Sequence, residues 1–186
     1  MNQHRIDRTE YGPFDTRAAG FTLIELLIVM SIIGILGSVA MVGYRGARVR
    51  GAEASTVAAL QAITQAQFAF AQACGNQRYA PNLASLGKRM PTTGQGFLSP
   101  DLAVDPLTKS GYTFLMSGTV VTDDGLTCTG DLPVLTYQVT ADPVRPGVTG
   151  FRYFGTNTDR VLYEDAATFT ANMPETGAPG HGREAK

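Results

Sequence analysis

Glu25 carries the most unusual chemistry in the chain, because it is the only charged side chain in a run, residues 21–42, that is otherwise apolar or small. A carboxylate near the centre of a bilayer costs about 2.5 to 3.5 kcal/mol on insertion scales and ordinarily has a partner. Glu25 stands four residues after Phe21, roughly 6 Å along a helix. A chain cut after Gly20 would therefore carry a new ammonium at Phe21 one turn from this carboxylate. The chemistry implied is ion pairing in an apolar medium. Without a partner, Glu25 reads as a side chain snorkelling to a nearby interface.

Catalytic arrangements find little support. Ser85-Leu86-Gly87-Lys88 matches S-x-x-K, and Lys109-Ser110-Gly111 imitates the K-T-G element of penicillin-recognising hydrolases. The S-D-N element is missing, the serine precedes a glycine in a turn-rich stretch, and the chain is far too short for such an enzyme. The two histidines, His4 and His181, lie near the two ends, which leaves no His-based triad or His-rich metal site between them. The expectation is a protein without catalytic residues or a cofactor.

The segment Gly20-Phe21-Thr22-Leu23-Ile24-Glu25 with the apolar run behind it resembles the N-terminal signature of type IV pilins and type II secretion pseudopilins. The resemblance implies that a membrane prepilin peptidase cuts between Gly20 and Phe21 on the cytoplasmic side and N-methylates Phe21. It implies that the apolar helix is kept as an inner-membrane anchor, with the rest of the chain periplasmic, until an assembly platform draws the subunit into a cell-surface or periplasmic filament. There Glu25 would pair with the Phe21 amine of a neighbouring pilin, in an apolar and unscreened core. Ordinary secretory cleavage at Ser38-Val39-Ala40 is the competing reading. Against it stand the length of the apolar run, the carboxylate inside it and a leader that is not predominantly basic.

These residues need a helix to position them. Residues 21–44 form its membrane-spanning and assembly half, long enough to cross a hydrocarbon layer of roughly 30 Å. Residues 45–75 form an amphipathic half, on which Leu60, Ile63, Phe70 and Cys74 share a sector that Gln67 interrupts. Gly34, Gly37, Ala40, Gly43 and Gly46 recur every three residues. Such a stripe either lets helices approach closely or weakens the helix so that it can bend. Many type IV pilins have proline at the position of Val42. Arg45, Arg48 and Arg50 read as a headgroup collar or, less simply, as a site of DNA capture. They match Arg5, Arg8 and Arg17 in the leader, 1–20, so charge counting does not orient the span. Gly75-Asn76 stops the helix.

Beyond the helix, 76–108 is a long loop with an ordered turn over 79–87, placed as type IV pilins place theirs. Strands are expected at 112–116, 135–140, 151–154 and 161–163, and 172–186 reads as a flexible tail. The fold class is α+β: one long helix packed by its second half on a small antiparallel sheet, with 76–171 as loop and sheet of the periplasmic domain. In 186 residues with a net charge of −1, no basic surplus points to nucleic acid.

In the exported domain the resemblance implies, Cys74 and Cys128, the two cysteines present, meet an oxidising compartment and are expected to pair. Asp105-Pro106 followed by Ser110-Gly111-Tyr112 faintly resembles a segment of the major type II secretion pseudopilin beside a calcium-binding loop. Asp105, Asp123 and Asp124 are therefore weak calcium candidates, although loop carboxylates are usually solvated turn formers. The sheet region, including 137–143 and 150–154, looks more like type IV pilin-like proteins. The reading is a filament subunit of the type IV pilus kind. The alternatives are a secretion pseudopilin, a competence or minor pilin that binds DNA, and a monomeric membrane-anchored binding module.

Overall fold

The computed structural model describes residues 20–123 and 125–185, without the side chains of 39–42. The leader up to residue 19, Asp124 and Lys186 lie outside the described residues. The chain divides into two units, Met1–Val42 and Gly43–Lys186.

In the first unit, helix α1 (Leu23–Ala73) begins. Its described side chains up to residue 38 are all exposed. The hydroxyls of Ser31 and Ser38 donate back to the carbonyls of Leu27 and Ile35 at 2.9 and 2.7 Å, so the helix satisfies its own polar side chains, as an apolar medium demands. No single helix among the described residues is long and apolar enough to cross a membrane; Leu23–Ser38 and Gly43–Ala73 meet that requirement only together.

In the second unit, α1 meets a six-stranded antiparallel sheet whose spatial order is its chain order. The strands are β1 (Leu107–Lys109), β2 (Tyr112–Val120), β3 (Val134–Pro143), β4 (Tyr153–Asn157), β5 (Leu162–Asp165) and β6 (Arg183–Glu184). The register pairs Phe114 with Ala141, Met116 with Val139 and Ala141 with Phe154. Period-2 alternation points these side chains to one face, where they meet Leu60, Ile63 and Phe70 of the helix in a single core. Fully burying each such side chain is worth roughly 1.5 to 3 kcal/mol.

Gln67 does not break the helical stripe; it lies within it, fully buried. Its amide donates to the Ala80 carbonyl and accepts from the Ala80 N–H, both at 2.9 Å, and so pins the returning loop to the helix. At the helix end, Asn76 and Gln77 take positive φ values of 50° and 69°. Gly75 is needed for space instead: a Cβ there would stand 1.9 Å from the Arg78 carbonyl oxygen. The loop continues through a backbone pairing of Tyr79 with Val134 into a short helix, α2 (Leu83–Gly87), capped by Asn82, whose side chain accepts from the Ser85 N–H.

The expected fourfold strand pattern is present, with two added strands and shifted ends. β4 begins at Tyr153 rather than 151 because the backbone N–H groups of Phe151 and Arg152 are taken by the Glu53 carboxylate. The segment 172–185 is not a free tail. Phe169 and Met173 pack with Tyr163 in a second cluster, on the sheet face that Gly155 leaves open: a Cβ there would lie 2.8 Å from Met173 Sδ. Glu175 accepts hydrogen bonds from Thr119 and Thr136, Asn157 donates to the carbonyls of Pro174 and Gly177, and β6 closes on β5. Polar, glycine-rich composition reads as disorder, whereas here Asn157 holds the segment's backbone from the sheet and the Glu175 side chain reaches back to it.

Candidate processing and assembly site

Gly20 and Phe21 precede the first helical residue, and Phe21 is 82% exposed. Thr22 caps the helix: its hydroxyl accepts the Glu25 N–H at 3.3 Å and faces Glu25 Oε2 at 3.5 Å. The Leu26 N–H donates to the Thr22 carbonyl at 3.3 Å. Thr22 is thus the N-cap of the helix, with the Glu25 carboxylate facing its hydroxyl, and the T-x-x-E spacing that allows this is legible in the sequence. Glu25 sits in the first turn, where a helix carries a partial positive charge that favours anions. From Leu23 to Leu36 every large apolar side chain is about half exposed or more. The Gly20–Phe21 bond, the cap, the carboxylate and this apolar surface are therefore contiguous in the chain.

The other sequence candidates separate. Cys74 and Cys128 are joined by a disulfide with Cα atoms 4.9 Å apart, and the Cys128 N–H donates to the Cys74 carbonyl. Among the described residues no group of three or more His, Cys, Asp or Glu is placed to hold a metal. Burial pushes the Asp105 carboxyl up, against a backbone hydrogen bond from Leu83. Asp123 accepts from the Thr122 hydroxyl, and Asp124 lies outside the described residues. Two further loop carboxylates, Asp101 and Asp131, are paired with Lys109 and Lys88. The S-x-x-K match does not assemble into an acylation site: Ser85 is buried within α2, and Lys88 is held by Asp131.

One cluster escaped sequence reasoning. Glu53, buried on α1, accepts from the Phe151 and Arg152 N–H groups at 2.9 and 3.3 Å and from Arg152 Nε at 2.9 Å. Arg152 reaches on to Glu164 at 2.5 Å, and Arg183 donates to the other Glu164 oxygen at 2.9 Å. Burial raises the Glu53 carboxyl, but the hydrogen bonds from Phe151 and Arg152 and the guanidinium charge outweigh it and hold the pKa below its usual value. Glu164 behaves alike, with Arg183 and Arg152 overcoming its burial. A signal was present: Glu53, Thr56, Leu60 and Ile63 fall on one helix face.

Residues 15–41 match the family model described as the prokaryotic N-terminal methylation motif, so the chain carries the type IV pilin and pseudopilin signature. No curated protein and no solved structure matches the chain significantly. The signature implies processing by prepilin peptidase, polymerisation with pilins and membrane anchoring before that, and it points to a structural subunit rather than an enzyme. It ends short of the second unit, where the long helix and antiparallel sheet have the α+β, pilin-like architecture.

Proposed function

We propose that the chain is a structural subunit of a type IV pilus-like filament, cut after Gly20, methylated at Phe21 and polymerised through its N-terminal helix. The observation that carries this reading is the methylation signature lying over a helix start whose apolar side chains are all exposed. Such a surface needs lipid or other helices around it. Cleavage would place an ammonium at the positive end of a helix, which is unfavourable. A carboxylate in the first turn offsets it, and far more strongly in an apolar filament core than in water.

Intact-mass and N-terminal analysis of protein from its native membrane tests the processing: the mature chain should begin at methylated Phe21. A chain keeping Met1, or one beginning near Met41, would sink the reading. Glu25→Val tests the pairing, and this variant should be inserted and processed but not assembled. Filaments at wild-type yield would show that Glu25 is dispensable.

A type II secretion pseudopilin is the second reading, drawn from Asp105-Pro106 at the entry to β1. The likeness of 137–143 and 150–154 to type IV pilin-like proteins favours the pilus. Calcium-dependent unfolding of the full chain would reverse that preference.

A further inference from the structure

The turn after β3 holds three apolar side chains out in solvent: Val144, Val148 and Phe151 are 51%, 59% and 64% exposed. They are not on a loose loop. The Gly147 N–H donates to the Gly150 carbonyl at 2.8 Å, the Val148 N–H to the Arg145 carbonyl at 3.0 Å, and the Arg145 N–H to Thr149 Oγ1 at 3.1 Å. The Phe151 N–H is fixed on Glu53. Beside this turn, Arg45, Arg48, Val148 and Phe151 line a groove of about 540 Å³, and Arg48 and Arg145 line a second of about 380 Å³. Arg45, Arg48 and Arg145 are exposed, and among the described residues none of them is ion-paired. The carboxylate beneath the turn, Glu53, is committed to Arg152.

We propose that this turn and its arginines form a docking surface for the headgroup layer of an anionic phospholipid membrane, and that it holds the second unit against the bilayer before assembly. The inference rests on the reading above, in which the N-terminal helix is the anchor. Rigid apolar tips rimmed by basic side chains are what an interfacial contact with anionic lipid requires, since both apolar burial and charge attraction contribute. A polyanion such as DNA would match the arginines but leave the three apolar side chains wet. Arg45 follows Val42, the last residue of the apolar run, by three positions, so headgroups around an anchored helix lie within its reach.

The chain contains no tryptophan, so Phe151→Trp in the full chain gives an emission that belongs to that side chain alone. The protein is reconstituted into phosphatidylcholine vesicles with and without phosphatidylglycerol. With the anionic lipid, emission should shift to the blue and be quenched by brominated acyl chains, and both effects should fade in pure phosphatidylcholine or at high salt. Arg48→Gln or Arg145→Gln should each lower the ratio of docked to undocked protein roughly fivefold, the equivalent of about 1 kcal/mol per basic residue near such a surface. Leu126→Trp is the control: Cys128 beside it is bonded to Cys74, about 30 Å along α1 from Glu53, and it should stay open to aqueous quenchers throughout. A Phe151→Trp side chain open to those quenchers in anionic vesicles overturns the proposal. So does protection that ignores lipid charge and both arginines, or that appears only on polymerisation, which would make the turn a contact between subunits. Alkaline extraction reports anchoring separately. A retained chain with an exposed tryptophan overturns docking alone, whereas a released chain overturns the anchored reading with it.

Discussion

Glu53 stays ionised although its side chain is almost wholly buried, because donors from two successive residues, Phe151 and Arg152, close on it. Its folded pKa lies below the unfolded value, and so does that of Glu164. A depressed carboxylate contributes stability that is fully present above the unfolded pKa and is lost as pH falls through the folded one. The protein should therefore lose stability below about pH 4.5. Glu53→Gln removes the charge but keeps one acceptor. It should be less stable at pH 7 by about 1 to 3 kcal/mol, the range for a charged hydrogen bond lost from a buried site, and lose less between pH 5 and 3. Urea unfolding of both proteins across that window checks this, and parallel pH profiles would show that Glu53 contributes nothing to the acid response.

Elements depend on such residues more than on propensity. Two hydrogen bonds from Gln67 fix Ala80 against the helix and start the path that leads through Tyr79 and Val134 into the sheet. Gln67→Leu keeps the volume but strands a buried N–H and a buried carbonyl, so it should cost about 2 to 4 kcal/mol. Its amide exchange should rise most around Ala80 and α2; a urea midpoint within error of wild type would overturn this. The limits of sequence reading follow the same line. The N-terminal methylation signature was legible because its pattern is local, and so were the helix and the four main strands, whose hydrophobic period needs no partner. Glu53 and Arg152 were not, since 99 positions separate them and no periodicity joins them. Nor was the order in 172–185, where Asn157 and Glu175 supply hydrogen bonds that composition does not reveal.

At the scale of the whole chain, the two units meet opposite requirements. The described helix of the first unit buries none of its side chains up to residue 38, so folding stability must come from the core of the second. That core spans the helix and the sheet, and the Cys74–Cys128 bond joins the end of the one to the loop before β3 across a sequence separation of 54. Closing a loop of that length removes about 4 kcal/mol of unfolded-chain entropy in the simplest treatment, and measured effects centre on 2 to 4. Reduction should thus lower the unfolding free energy of the second unit by about 2 to 4 kcal/mol. The sheet should survive, because Leu60, Ile63, Phe70, Phe114 and Phe154 pack without the bond's help. If the first unit is the anchor, as proposed, membrane retention should not change. The check is urea unfolding in vesicles with and without dithiothreitol, followed by alkaline extraction. An unchanged midpoint would mean that the loop is already ordered in the unfolded chain. Loss of retention would mean that the two units do not act independently.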